Sequence, residues 1–246
     1  MAIGTHIDED DWDFSAQYTW FHKTTKKEAS APQNASIEPL WLYDISASTP
    51  ARGLSSKWRL TVDLLDAEMG KSYYLSTENI VRPFWGARIA WIAQKFSPSY
   101  QIAGQNISSK NQIRSWGAGL RTGLNTNWMI GGGFTLLANM STSVLFTHYK
   151  VKTSQQSIAN PRETALSASE TPDYVRAETS GAMGLSWGSY LFNSLLHVNI
   201  SALYELQTFW KQNLFGASFG GIANRSAKGS SDLHLHGLNL TMRLDF

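Results

Sequence analysis

The chain has 246 residues, a net charge of +2 and no cysteine, so disulfides and thiolate chemistry are excluded. Its 21 basic and 19 acidic residues are too evenly balanced to indicate nucleic-acid binding. No uninterrupted apolar stretch of about 20 residues occurs, which excludes a helical membrane protein. Because half of each strand in a membrane β-barrel is polar, the mean hydropathy of −0.25 does not separate such a barrel from a soluble β-protein.

The N-terminal residues carry no export signal. Residues 1–7 run directly into an acidic segment at 8–11, without a basic region, an apolar region or a cleavage site. A secreted barrel requires such a signal, which is removed in the mature protein. We therefore expect either a removed signal or, preferably, a fragment of a longer protein.

Alternation of apolar and polar residues with period two predicts about eight strands. The predicted strands are 11–23, 57–75, 80–96, 113–125, 133–152, 174–190, 195–211 and 232–246. In the second strand the alternation changes phase at Leu64-Leu65, and a β-bulge is the simplest explanation.

The last predicted strand has the most regular alternation, because one of its faces is wholly apolar. The apolar face consists of Leu238, Leu240, Met242, Leu244 and Phe246. The opposite face consists of Gly237, Asn239, Thr241, Arg243 and Asp245. A strand of this kind is typical of the closing strand of an outer-membrane β-barrel, with lipid on one side and polar packing on the other.

The connections between the predicted strands alternate in length. Long ones are expected at about 24–56, 97–112, 154–172 and 212–231, and short ones near 76–79, 125–132 and 193–194. Membrane barrels have short periplasmic turns and long outer loops, and here every short link falls at the end where the last strand stops. The sequence therefore predicts one domain over 1–246, an all-β, antiparallel, up-and-down transmembrane β-barrel in a bacterial outer membrane.

Aromatic residues are expected at both ends of these strands, where membrane interfaces concentrate amphipathic rings. The predicted outer girdle is Trp20, Trp58, Trp116 and Trp210, and the predicted inner girdle is Trp12, Trp85, Trp128, Trp187 and Tyr190. The alternative is the core of a soluble β-sandwich, in which aromatic rings would concentrate in the middle of the strands.

Four segments carry a resemblance to a known family. They are 66–75 (DAEMGKSYYL), 82–96 (RPFWGARIAWIAQKF), 116–128 (WGAGLRTGLNTNW) and 237–246 (GLNLTMRLDF). In their order and spacing the chain resembles the Legionella-type pore-forming outer-membrane proteins, relatives of the chlamydial major outer membrane protein. The resemblance implies passive diffusion of small solutes or a structural role in the envelope, no catalysis, and a signal peptide and further strand sequence before residue 1.

The predicted inward faces carry both signs of charge. The residues are Arg82, Arg88, Arg121, Arg176, Arg243, Asp63, Asp66, Glu68, Glu178, Glu205 and Asp245. An eight-stranded barrel is just wide enough for side chains to fill, so one interpretation is a network of ion pairs that supports the barrel. The other is a charged pore lining, which requires a wider barrel.

Other sites are weakly indicated. His234 and His236 share a strand face, but a third ligand is lacking, so neither a metal nor any other cofactor is predicted. No nucleophile arrangement is recognisable, and an enzyme is not predicted. The expected partners are outer-membrane lipid, which Lys23, Lys26 and Lys27 could contact through anionic headgroups, and the barrel-assembly machinery through the last strand; nucleic acid is not expected. The alternative function is a soluble, lipocalin-like protein that binds a ligand in its cavity.

Overall fold

A computed structural model describes residues 2–7, 11–42, 50–157, 160, 162–191, 196–215 and 230–245. The strands are β1 (Ala2–Ile7), β2 (Trp12–Ser30), β3 (Gly53–Lys71), β4 (Tyr73–Tyr74), β5 (Asn79–Ile102), β6 (Gln105–Gly131), β7 (Phe134–Gln156), β8 (Thr164–Glu170), β9 (Asp173–Leu191), β10 (Leu196–Asn213) and β11 (Ser231–Asp245). Within these ranges, no helix has both the length and the apolar character needed to cross a membrane.

The strands form one antiparallel sheet in which sequence neighbours pair. Its order is β1-β2-β3-β5-β6-β7-β9-β10-β11, with β4 added to β5 and β8 to β7. Eight of these strands are long and correspond one to one to the predicted strands, which confirms the all-β, antiparallel, up-and-down arrangement. Among the described residues no pairing joins the two ends of this order, so the sheet is open between β11 and the β1–β2 hairpin.

The connections differ in length between the two ends of the sheet. At one end, called the lower end, β3 is joined to β5 through 72–78 and β6 to β7 through 132–133. At the opposite, upper end, β2 is joined to β3 through 31–52 and β10 to β11 through 214–230. These four connections follow the expected separation of short and long links, but the β5–β6 connection at the upper end does not.

The prediction of a long loop at 97–112 is wrong. Strand β5 continues to Ile102 and β6 begins at Gln105, so Ala103 and Gly104 alone make the connection. Both have positive φ, 49° and 79°, as a two-residue hairpin turn requires. The many polar residues of this segment suggested a loop. Ser97, Ser99 and Gln101 in fact alternate with Pro98, Tyr100 and Ile102, which are buried on the concave face. The expected loop at 154–172 likewise contains β8.

The prediction of a β-bulge at Leu64-Leu65 is also wrong, because β3 pairs with β2 and β5 without a shift in register. Leu60, Val62 and Leu64 therefore lie on the same face as Asp66 and Glu68. The change of phase in the sequence has another cause: one continuous face is apolar in its upper part and charged in its lower part. The sheet does contain a bulge in β10, where the register shifts between Phe209 and Asn213 and Lys211 has a φ of 54°.

The sheet is strongly curled, so that distant strands meet across its concave face. One buried apolar cluster joins Leu60, Val62, Leu64, Ala90, Ile92, Leu145, Phe209 and Leu233, which come from β3, β5, β7, β10 and β11. Strands β3 and β11 stand near opposite ends of the strand order. Because residues of both strands belong to one buried cluster, the concave face encloses an interior, and we call this cluster the interior apolar cluster.

Candidate functional site

The charged site lies on the concave face, below the interior apolar cluster. Its residues alternate along β2, β3, β5, β6 and β9 with residues that face outward, so the period of two places them all inside. Register then sets the partners: Asp66 on β3 is directly opposite Arg88 on β5. Seven side chains make up this site, called the ionic network: Asp13, Arg82, Glu68, Arg121, Glu178, Arg88 and Asp66.

Charges of opposite sign alternate along the ionic network. Arg88 forms a bidentate pair with Asp66, its Nε and Nη2 donating to the two carboxylate oxygens at 2.6 and 2.7 Å. Arg121 donates through Nε to Glu68 Oε1 at 2.9 Å. Arg82 pairs with Asp13 and lies 4.0 Å from Glu68, so the network continues from β2 towards β6.

Glu178 connects the two halves of the ionic network and is fully buried, with 0% of its side chain exposed. Its Oε1 lies 2.8 Å from Arg88 Nη1, and its Oε2 lies 4.0 Å from Arg121 Nη1. It also accepts hydrogen bonds from Ser143 and Gln207, each at 2.9 Å. Because β9 is separated from β5 by β6 and β7 in the sheet, the Arg88–Glu178 pair crosses the interior.

The structure brings six of the eleven predicted inward charges into the ionic network: Arg82, Arg88, Arg121, Asp66, Glu68 and Glu178. Three others lie on the concave face at separate places. Arg176 packs its guanidinium over the ring of Tyr174 at 4.2 Å, Glu205 accepts a hydrogen bond from Asn239, and Arg243 is exposed on β11. The Asp245 side chain lies outside the described residues.

Asp63 was predicted to face inward, and this prediction is wrong, because Asp63 lies on the convex face. It accepts a hydrogen bond from Tyr18 at 2.8 Å and lies 3.5 Å from His22 Nε2. The physical reason is the continuous register of β3, which places Asp63 on the face opposite Asp66.

Sequence reasoning missed Asp13, Ser143 and Gln207 as parts of the charged site. Asp13 alternates with Trp12 and Phe14, so the sequence indicates the correct face for it. Its partner Arg82 is 69 residues away in the sequence, and no local pattern indicates this pairing. Ser143 and Gln207 are neutral, and nothing in the sequence marks them as ligands of a buried carboxylate.

A partly open cavity of about 250 Å³ lies against the ionic network. Asp66, Glu68 and Arg121 form part of its wall, and most of the remaining lining is polar or small: Gln17, Thr19, Asn125, Asn139, Ser141, Ser180, Glu205 and Gln207. Above the cavity the interior apolar cluster fills the concave face. The described interior therefore contains a polar chamber below a buried apolar cluster.

A second cavity, of about 320 Å³, is found at the upper end and is lined mainly by aromatic rings. Trp41 contacts Phe96 edge to face at 4.9 Å and Phe215 at 6.2 Å. Trp58 and Lys27 complete much of the wall.

The predicted interface aromatics fall into two groups. Seven lie on the convex face: Trp12, Trp20, Trp85, Trp116, Trp128, Trp187 and Trp210. The prediction that Trp58 belongs to the outer girdle is wrong, because Trp58 packs against the interior apolar cluster on the same face as Leu60. Tyr190 is exposed at the end of β9, but it lies on the face opposite Trp187 and contacts His197.

Between the two aromatic levels the convex face is apolar and exposed. Leu120 is 77% exposed, Met140 73% and Leu240 68%. Leu238 and Met242 point the same way, as expected for the last strand, whereas the Leu244 side chain and Phe246 lie outside the described residues. We call this exposed surface the apolar belt.

The two histidines of β11 are held by neighbouring hydroxyl groups and do not converge on a common site. His234 Nδ1 is 3.0 Å from Thr208 Oγ1, and His236 Nδ1 is 2.7 Å from the Tyr204 hydroxyl. In the described part of the chain, no three His, Asp or Glu side chains come together in a group able to hold a metal ion.

Comparison with known proteins agrees with this architecture. The sequence model of a family described as the Legionella pneumophila major outer membrane protein precursor matches residues 4–246. Neither the curated proteins nor the solved structures contain a significant match.

Proposed function

The chain belongs to the Legionella major outer membrane protein family, and from this premise we propose that it is a transmembrane β-barrel of a bacterial outer membrane. The observation that carries the proposal is the apolar belt, which is exposed on the convex face while charged groups are buried on the concave face. A soluble, lipocalin-like protein would show the opposite arrangement. Lipid cannot satisfy a free strand edge, so the proposal includes closure of the sheet in the membrane.

The dimensions of the apolar belt support this proposal. Trp116 and Trp128 both face outward on β6 and are twelve positions apart. At about 3.4 Å per residue and a tilt of about 45°, this segment spans roughly 29 Å along the membrane normal. An apolar band about 25 Å tall with aromatic girdles is typical of outer-membrane barrels.

We assign the lower end of the sheet to the periplasm and the upper end to the outside, because outer-membrane barrels have short periplasmic turns. Within the membrane the interior would hold the ionic network and the interior apolar cluster. An eight-stranded barrel has space for little more than side chains, so the function that this geometry supports best is a structural envelope protein with a closed interior.

Passive diffusion of small solutes is the second candidate, favoured by the polar cavity of about 250 Å³ beside the ionic network. Rings of charged side chains line many selective pores. A diffusion pathway would still have to pass the interior apolar cluster, so it requires a wider barrel or a rearranged interior.

The barrel proposal predicts that the chain, refolded in detergent, will insert into vesicles of neutral phospholipid and float with them in a density gradient. It should also run with heat-modifiable mobility on gels, because a closed barrel resists denaturant until it is heated. The matched control is a variant with Leu120→Asp and Met140→Asp in the apolar belt, which should insert poorly because lipid-facing charge is unfavourable. A wild-type chain that stays monomeric in buffer without detergent contradicts the proposal.

Planar-bilayer recordings separate the two candidate functions. If the protein is structural, the inserted wild-type chain gives no stable conductance steps. Reproducible steps in the wild-type chain would instead establish diffusion. An Arg88→Ala, Glu178→Ala variant measured in parallel tells whether the ionic network limits any current that is seen.

A further inference from the structure

Six basic side chains form a band on the convex face, directly above the apolar belt. They are Lys26, Lys57, Arg59, Lys95, Arg114 and Lys150, and all six are exposed. We call this band the basic girdle. It extends over five neighbouring strands, β2, β3, β5, β6 and β7.

The register of the sheet places these charges in like-signed pairs. Lys26 is directly opposite Lys57, Arg59 is opposite Lys95, and Arg114 is opposite Lys150. Like charges that face each other across neighbouring strands destabilise a sheet. Three such pairs in one band therefore favour the binding of anions from outside the protein.

No carboxylate within the described residues neutralises the basic girdle. None of its six members forms an ion pair there. The nearest outward carboxylates on the same strands are Glu28, which lies beyond Lys26, and Asp63, which is hydrogen-bonded to Tyr18. Asp173 on β9 is held by His148 at 2.5 Å.

Four of the six charges of the basic girdle lie at the level expected for the headgroup layer of a membrane. Cross-strand pairing puts Trp20, Asp63, Trp91, Trp116 and His148 in one row at the top of the apolar belt. Arg114 and Lys150 lie two residues above this row, and Arg59 and Lys95 lie four residues above it. At about 3.3 Å per residue, these four charges stand roughly 7–13 Å along the strands beyond the aromatic level.

We propose that the basic girdle binds the phosphate groups of anionic lipid in the outer leaflet, that is, the phosphorylated headgroups of the glycolipid that forms this leaflet. The inference rests on the proposed membrane location and orientation. The shape of the site favours lipid over a soluble anion, because the charges are spread along a convex surface directly above lipid-facing residues. Lipid headgroups lie side by side at this level and can neutralise several pairs at once.

The test uses the full chain in neutral detergent, with lipid A carrying its two phosphates as the probe and dephosphorylated lipid A as the reference. Native mass spectrometry measures retained lipid. The girdle variant is Arg59→Gln, Lys95→Gln, Arg114→Gln and Lys150→Gln. The matched control removes the same amount of charge elsewhere, with Lys23→Gln, Lys27→Gln, Arg162→Gln and Lys211→Gln. Lys23 and Lys27 were expected to contact headgroups, but they alternate with Lys26 and lie on the concave face.

The wild type and the control should retain phosphorylated lipid A, and the girdle variant should retain at least about tenfold less. In neutral detergent without anionic lipid, the girdle variant should instead unfold at a higher temperature than the wild type, because two repulsive pairs are gone. A girdle variant that does not fold, or equal retention by all three proteins, overturns the proposal. A charge-conserving Arg114→Lys, Lys150→Arg variant should bind as the wild type does.

Two further arms identify the source of the anion and separate this proposal from the barrel itself. If inorganic phosphate stabilises the protein as well as lipid A does and displaces the lipid, the site is one for free phosphate and the lipid proposal is wrong. If the wild type floats with neutral vesicles but does not prefer phosphorylated lipid, the barrel stands and only the girdle proposal fails. Failure to float contradicts the barrel first.

Discussion

Glu178 shows how a single buried charge is made tolerable inside this protein. A fully buried carboxylate is costly unless it is paired and hydrogen-bonded. Here Arg88 supplies the charge, while Ser143 and Gln207 satisfy the remaining lone pairs. Removing one partner leaves the other charge buried without compensation, so the free energy of unfolding depends strongly on this position.

We therefore expect Glu178→Gln to lower the free energy of unfolding by about 3–5 kcal/mol. Glu205→Gln is the matched control, because Glu205 faces the same interior but is exposed, and its loss should change stability by about 0.5 kcal/mol or less. Urea titration in neutral-lipid vesicles, followed by tryptophan fluorescence, measures both. Equal effects of the two substitutions would mean that Glu178 does not organise the ionic network.

At the scale of the strand, glycine allows the tight curl of the sheet. A Cβ added at Gly119 on β6 would lie 1.9 Å from the carbonyl oxygen of Val144 on β7, and one at Gly184 on β9 would lie 1.9 Å from that of Ala202 on β10. These contacts are with backbone atoms, which cannot rotate away. Glycine within strands often marks such close approaches and sharp bends.

Gly119→Ala should accordingly destabilise the protein by about 1–3 kcal/mol, as overpacking does, and lower its refolding yield. Gly237→Ala on β11 is the control, because a Cβ there meets no atom within 4 Å. Heat-modifiable mobility and urea midpoints give the comparison. If Gly119→Ala and Gly237→Ala change the urea midpoint equally, the curl of the sheet does not depend on the glycine in β6.

At the scale of the whole molecule, the order of the strands leaves two ways to close the proposed barrel. Strand β1 pairs with Trp12–Gln17 of β2 and thus occupies the lower part of the edge that β11 would need. Strand direction alternates along the sheet, so β11 runs antiparallel to β2 and parallel to β1. Pairing of β11 with β2 would therefore be antiparallel, and pairing with β1 would be parallel. An even number of antiparallel strands closes without a parallel pair, which favours β2–β11 pairing.

Deletion of residues 2–7 distinguishes these closures. If β11 pairs with β2, amide hydrogens of Trp12–Trp20 stay protected in vesicles after the deletion, because β11 replaces β1 as their partner. Deuterium exchange read by peptide mass spectrometry measures this, and β6, paired on both sides, is the internal reference. Loss of protection confined to Trp12–Gln17 would show that β1 itself is the closing strand.

Alternation in the sequence was enough to locate the eight long strands and to assign most faces, because residues on the convex and concave faces differ in polarity. It failed where polarity does not follow the face. Leu60 and Val62 are apolar yet interior, so Trp58 and Asp63 were assigned to the wrong faces. Above the apolar belt the outward residues of β5 become polar while Tyr100 and Ile102 remain buried on the concave face, so the pattern of polarity is reversed there and hid the hairpin at Ala103–Gly104. Pairs such as Asp13–Arg82 depend on strand order and have no local signature.

The interior apolar cluster also gives the protein a sidedness. Phe209 and Leu233 belong to the same buried cluster as Leu60 and Val62, so in the proposed closed barrel this layer would stop water that enters from either end. The proposed barrel would then hold two separate vestibules, and a hydrophilic reagent would reach each one only from its own side of the membrane. A thiol introduced at Thr19, in the wall of the lower cavity, would be modified from the periplasm and shielded from the medium outside the cell.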